Sequence, residues 1–296
     1  MTEIATLSDE KAKRHSDTYW TKAARRLFVN PITAIGLFLV VFAFACAIFA
    51  PQIAPYDPIL GDLRNDYVKP PSIEHLMGTD DAGRDILTRI IYGAQISLKI
   101  GVLSELIGLI IGLTLGLISG FYGRWIDTLI MRVVDIVMSF PLLIIAIALV
   151  GALGSNETNI IVALALVTWP VITRLVRSQV LSIKEAEYVM AARSLGAGDL
   201  AIMTRHILPN LIAPVVVYVT LGIGGVILAE ASLSFLGLGS ANAQQPSWGK
   251  MLEEGRDFIR SAWWMPFFPG LAILLTVLGF NLLGDGLRDA LDVRGD

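Results

Sequence analysis

Residues 106–123, LIGLIIGLTLGLISGFYG, carry no charged side chain and place glycine at 108, 112, 116 and 120. At 1.5 Å rise per residue such a stretch covers a hydrocarbon core of roughly 30 Å, once a flanking Lys or Arg snorkels, so it predicts a transmembrane helix. Glycine at every fourth position puts Gly108, Gly112, Gly116 and Gly120 on one helix face, as a groove that another helix backbone can approach closely. The fold therefore reads as a membrane helix bundle. The glycines serve either packing, within the chain or across a dimer interface, or the lining of a solute path.

Five further apolar stretches, 30–56, 136–156, 158–173, 207–229 and 261–284, bring the expected count to six spans. The whole chain agrees: of 296 residues 54% are hydrophobic and only 17% charged, with a mean hydropathy of +0.66, against about 25% charge in soluble domains. Cys46 is the single cysteine and lies in the first stretch, which excludes an intrachain disulfide and a cysteine-ligated metal site. A net charge of −3 argues against nucleic acid, whose binders carry a basic patch. With the N-terminus inside, 15 Lys and Arg fall on inside segments and 8 on outside ones, so the positive-inside rule predicts that both termini are cytoplasmic. The first stretch is longer than a signal-peptide core and lacks a clear small-residue cleavage site, so it reads as a retained anchor helix.

The chain is expected to divide into a cytoplasmic tail (1–29) with Tyr19, Trp20, Leu27 and Phe28 as interfacial anchors on one membrane-surface helix, a first transmembrane helix (30–56), an external segment (57–95), a core (96–287) and a cytoplasmic tail (288–296). Pro55, Pro58, Gly61, Pro70 and Pro71 mark an irregular linker. After it, Leu87, Ile90, Ile91 and Ala94 fall at i, i+3, i+4, i+7 and predict an amphipathic helix at the outer surface, with Asp85 and Arg89 as an i,i+4 pair. Asp80, Asp81 and Asp85 lack calcium-loop spacing, so capping and solvation account for them and no metal site is expected.

No GxxxxGK[ST], GxSxG or HExxH occurs, and the three histidines, His15, His75 and His206, are scattered. The chain is therefore expected to be no enzyme and to hold no cofactor; any ATP dependence must come from another subunit. Ionisable residues in or beside the apolar spans are costly and face a bundle interior or water. Glu105 and Glu230 are candidates for the solute path or its gate, or else snorkel near the outer surface. Arg132 and Asp135 are expected to form a local pair, and Asp285 and Arg288 to repeat it.

The loop 178–209 is longer than its neighbours. Tyr188, Ala191, Ala192 and Leu195 form an apolar stripe at helical spacing, Gly196 supplies a left-handed stop, and a second helical run over 200–207 ends before Pro209. The expected product is a helical hairpin built to dock.

The segment AARSLGAGDLAIMTRHILPN (191–210) resembles the EAA loop of ABC-importer permeases at Ala191, Ala192, Gly196, Leu208 and Pro209; Met190 stands where that family often has Glu and His206 where it often has Ile. The likeness extends through IAPYDP (53–58), GTDDAGRDILTRIIYGA (78–94), MRVVDIVMSFP (131–141), SLSFLGLG (232–239), PSWGKML (246–252) and FNLLGDGLRDALD (280–292). It is closest to the C-type permease of dipeptide and oligopeptide importers. The resemblance implies an all-α, MetI-like type I importer fold in a bacterial inner membrane. It also implies a second, B-type permease, two ATPases that bind ATP and Mg, and an external solute-binding protein. Nickel chelates, glutathione and oligosaccharides are alternative solutes within the same family. An ion-coupled secondary transporter is the alternative from another class.

Overall fold

The computed structural model describes residues 30–240 and 246–291. The expected surface helix and aromatic anchors of residues 1–29, and residues 292–296 of the C-terminal tail, lie outside them. Regular structure among the described residues is helical, apart from one isolated bridge between Thr79 and Asp85.

Helix α1 (Pro31–Ile48) starts where Asn30 accepts a hydrogen bond from the Ile32 N–H and a proline occupies the first turn, a favoured opening because the first N–H groups lack helical partners. Helix α2 (Ile86–Tyr122) is capped by Asp85, which accepts from the Thr88 N–H. Gly123, at φ +64°, turns the chain into α3 (Arg124–Met138), followed by α4 (Leu142–Leu153) and α5 (Glu157–Ile183). A short helix α6 (Glu187–Ser194) precedes α7 (Leu208–Leu233), α8 (Trp248–Gly255) and α9 (Trp264–Leu291). Among the described residues five helices are long and apolar enough to cross a membrane, and six spans result if α3 and α4 count as one bent span.

The most extensive contact joins α2 to α5. A Cβ added at Gly108, Gly112, Gly116 or Gly120 would meet Thr168, Ile172, Val176 or Val180 respectively, so the two helices run parallel at a constant offset. At Gly112 that atom would stand 2.6 Å from the Ile172 Cβ and 2.9 Å from the Trp169 carbonyl oxygen. Backbone and a β-branched side chain cannot yield cheaply, so Gly112→Leu is expected to cost about 3 kcal/mol or more. Detergent-solubilised Gly112→Leu should aggregate at lower temperature than wild type, while Gly151→Ala, with open space around it, should not. Helix α1 docks on α9 by the same means, Gly36 lying against Leu282 and Gly279 against Leu39.

Four expectations change. The outer amphipathic segment is the start of α2, so the boundary at 95/96 falls inside one unbroken helix of 37 residues. Gly93 and Gly101 do not break it because Trp248 and Ile227 pack against them. The third apolar stretch is bent by 89° between α3 and α4, since Pro141 lacks an N–H and pushes the preceding residue out of the helical region. The second helical run of the loop does not stop before Pro209. The helix Asp199–Ile202 passes through a π turn, Met203–Ile207, into α7; Pro209 sits in the first turn of α7, where a missing N–H is tolerated. Finally, Asp85 is spent on capping and on His75 Nδ1 (3.0 Å), so Arg89 pairs with Asp80 and Glu254 instead.

Candidate functional site

At one end of the bundle α6 stands on the tips of α2, α5 and α7. Val189 is fully buried and joins Phe121, Val180, Ile202, Ile207 and Leu211 in one apolar cluster. Arg193 adds a cation–π contact over the Phe121 ring at 5.6 Å. The helix ends in two bonds, Gly196 N–H to Arg193 C=O (3.0 Å) and Ala197 N–H to Ala192 C=O (3.1 Å). These form a Schellman closure, which requires the left-handed Gly196, at φ +83°.

The opposite face of α6 has no partner among the described residues. Tyr188 is 47% exposed and Leu195 89%, with Leu200 just beyond at 71%; Ala191 is exposed and Ala192 partly so. Large apolar side chains held open on a rigid helix mark a surface for another protein. Met190 also lies on the open side. Leu208 and Pro209 open α7, with Leu208 partly buried and Pro209 exposed.

The platform under α6 is held by charges. Asp127 of α3 binds Arg177 of α5 through both oxygens (2.5 and 2.6 Å) and accepts from Ser119 Oγ of α2. Lys184 Nζ donates to the Gly120 carbonyl at 3.0 Å. Higher in the same groove Arg174 binds Asp135 at 2.6 Å. The expected Arg132–Asp135 pair is therefore replaced by an interhelical one, because Arg174 is itself a charge within an apolar span and requires a counter-ion. Asp285 and Arg288 form no ion pair with each other. Arg288 instead borders a 560 Å³ cavity with Gln179, Asn210 and Tyr218.

Glu105 and Glu230 do not snorkel: each is about 1% exposed. Glu105 fills the space that Gly222 leaves by lacking a side chain, and its Oε1 has no hydrogen-bond partner among the described residues. Glu230 Oε1 accepts from Ser234 Oγ (2.8 Å) and Ser247 Oγ (3.1 Å). Both are sealed between helices, so neither lines an open path in this conformation.

The other end of the bundle is capped by residues 54–85. Arg89 and Arg84 bridge Asp80 to Glu254, and His75 lies between Asp66 and Asp85. Asp80 is thus buried and paired rather than solvated. Asp81 is raised above the usual carboxylate range by burial and by Asp80 beside it, while Asp62 is lowered by the Asn65 side chain and by the N–H groups of Asn65 and Arg64. No group of three or more metal-ligating side chains occurs among the described residues.

The three interhelical charge clusters have no local signature in the sequence. Their acids Asp135, Asp127 and Glu254 lie beside the apolar stretches rather than inside them, and the partners are 39, 50 and 165 residues away.

A bundle of long apolar helices that carries an open apolar helix at one end has the design of a multi-pass membrane protein with a surface for another protein. Residues 112–294 match the family "binding-protein-dependent transport system inner membrane component", and residues 18–71 match the N-terminal transmembrane domain of oligopeptide transport permease C. The chain is 49% identical to the dipeptide transport system permease protein DppC of Alkalihalophilus pseudofirmus, over 93% of this chain and 90% of that one. It is 46% identical to the glutathione transport system permease protein GsiD of Escherichia coli, over 94% and 91%. It is 43% identical to a putative peptide transport system permease protein of Brucella abortus, over 99% and 98%. The fold is similar to a chain of the MetNI methionine ABC transporter, with a TM-score of 0.56 at 22% identity, covering 70% of this chain and 97% of that one. The chain belongs to the family of inner-membrane permeases of peptide-type ABC importers, and is a transmembrane permease subunit that works with ATPase partners.

Proposed function

We propose that the chain forms half of a solute path, together with a second, B-type permease. Two ATPase subunits, which bind ATP and Mg, drive it from the cytoplasm, and an external solute-binding protein delivers the solute. Both termini and the loop 178–209 then face the cytoplasm, residues 57–85 face outward, and the assembly sits in a bacterial inner membrane. The observation that carries this reading is the open apolar face of α6, with Tyr188, Ala191, Ala192 and Leu195 presented and Val189 locked beneath. A helix fixed on one side and unpartnered on the other can pass a push from a gripping protein into α2, α5 and α7. Energy coupling requires two states that bind the ATPase differently. Glu105 and Glu230 would act as gate residues only when the helices around them part.

The solute we propose is a dipeptide or oligopeptide. Relatives named for dipeptide and for glutathione transport are nearly equally similar to this chain, and glutathione is itself a small peptide. Affinity purification of the chain should bring down a second permease and ATPases, and uptake by the purified assembly should require ATP. Uphill uptake by vesicles holding this polypeptide alone would overturn the reading in favour of an ion-coupled transporter.

A further inference from the structure

We propose that the elbow between α3 and α4 lines the aqueous solute path. The Asp135–Arg174 pair beside it is then a charge latch, which exchanges its internal partners for the carboxylate and ammonium of a peptide-like solute. Two independent observations carry this. Arg174 lies between Ile172, which meets Gly112, and Val176, which meets Gly116. It is therefore level with residue 114 of α2, about 12 Å above the end of that helix at Tyr122. At that depth its side chain and that of Asp135 are 47% and 56% exposed, with only Arg174 Nη2 and Asp135 Oδ1 in contact. An ion pair standing half open on the flank of a helix long and apolar enough to cross a membrane needs protein or water beside it rather than lipid tails.

The second observation concerns the backbone. Ala146 and Val150 of α4 share a core with Ile160, Leu164 and Val167 of α5, which places residues 139–141 between the levels of Val167 and Arg174. These residues are exposed, and α4 opens without any side-chain cap on its first N–H groups. Irregular backbone at membrane depth is tolerated only against protein or water. Water in a solute path beside the elbow would satisfy both the uncapped turn and the open ion pair. The identity of the solute rests on the importer reading given above; the placement of the elbow against water does not.

The test uses the intact importer in vesicles, with Cys46 replaced by Ser. Ser139→Cys should react with a membrane-impermeant methanethiosulfonate, at a rate that changes at least tenfold on adding ATP with vanadate. Phe38→Cys, on the open face of α1 at 65% exposure, should stay inert. A Ser139→Cys as inert as Phe38→Cys in every nucleotide state overturns the lining. For the latch, Arg174→Gln and the charge-keeping Arg174→Lys should raise the KM for alanyl-alanine at least tenfold. Both should leave the weaker uptake of its C-terminal amide unchanged. The double exchange Asp135→Arg with Arg174→Asp, which preserves the pair, should assemble yet fail to restore uptake. Full uptake by the exchanged pair overturns the latch and leaves a structural strut. A wild-type complex that takes up no dipeptide removes the peptide reading, while the thiol labelling still decides the lining.

Discussion

Arg89→Gln is expected to loosen the cap over one end of the bundle and to destabilise the subunit by roughly 3–5 kcal/mol, the range for removing one partner from a buried ionic cluster. Arg89 is almost fully buried, and it holds Asp80, equally buried, together with Glu254 of α8. Without the guanidinium, two carboxylates face each other with only Arg84 between them. A neutral amide of similar reach fills the space but leaves that charge uncompensated. The measurement is limited proteolysis of the linker at residues 57–78 together with thermal aggregation. Arg89→Gln should be cleaved faster and aggregate at lower temperature, whereas Arg256→Gln, whose ion-pair partner Asp257 is 80% exposed, should behave as wild type. Unchanged proteolysis would mean that the cap is held by its apolar contacts alone.

Gly196→Val is the substitution expected to affect transport most. The residue has φ +83° and open space where a Cβ would stand, so the cost is backbone strain, roughly 1–2 kcal/mol for an L residue and more for a β-branched one. That is small against the stability of a whole bundle. It is large for an eight-residue helix whose C-terminal closure depends on this one conformation. The docking face should tilt, uptake should fall more than tenfold, and solute-loaded binding protein should no longer stimulate ATP hydrolysis. Gly196→Asn, which tolerates the left-handed region, should remain close to wild type. Normal uptake and normal stimulation in Gly196→Val would show that α6 is not the coupling element.

Local pattern encodes some features of this fold and not others. Composition, apolar runs and the glycine spacing made a multi-helix membrane bundle legible, because helix length and the cost of charge in lipid are set residue by residue. The loop helix, with its Tyr188–Leu195 stripe, was legible from helical periodicity. Continuity was harder to read. Nothing between Asp85 and Leu106 separates a surface helix from the first turns of a long one, and only the packing of Trp248 on Gly93 and of Ile227 on Gly101 keeps α2 unbroken. Pairing was hardest. Periodicity favours neighbours three or four residues apart, so Arg132 for Asp135 and Asp85 for Arg89 were natural choices. Folding brought Arg174 and Glu254 closer. Glu105 shows the same limit: the sequence marks it as costly, but the notch at Gly222 that hides it exists only once α2 and α7 cross.

The four evenly matched seats between α2 and α5 rule out one kind of motion. Because every seat has the same 60-residue displacement, sliding either helix by a single turn would have to unseat all four at once, so the two behave as one push-rod. Its longer member, about 55 Å at 37 residues, runs from Arg89 under the cap to Gly120 beside Lys184. A tilt imposed at one extremity should therefore arrive at the other undiminished, and any give in the mechanism must lie in the bent and interrupted helices around this rod.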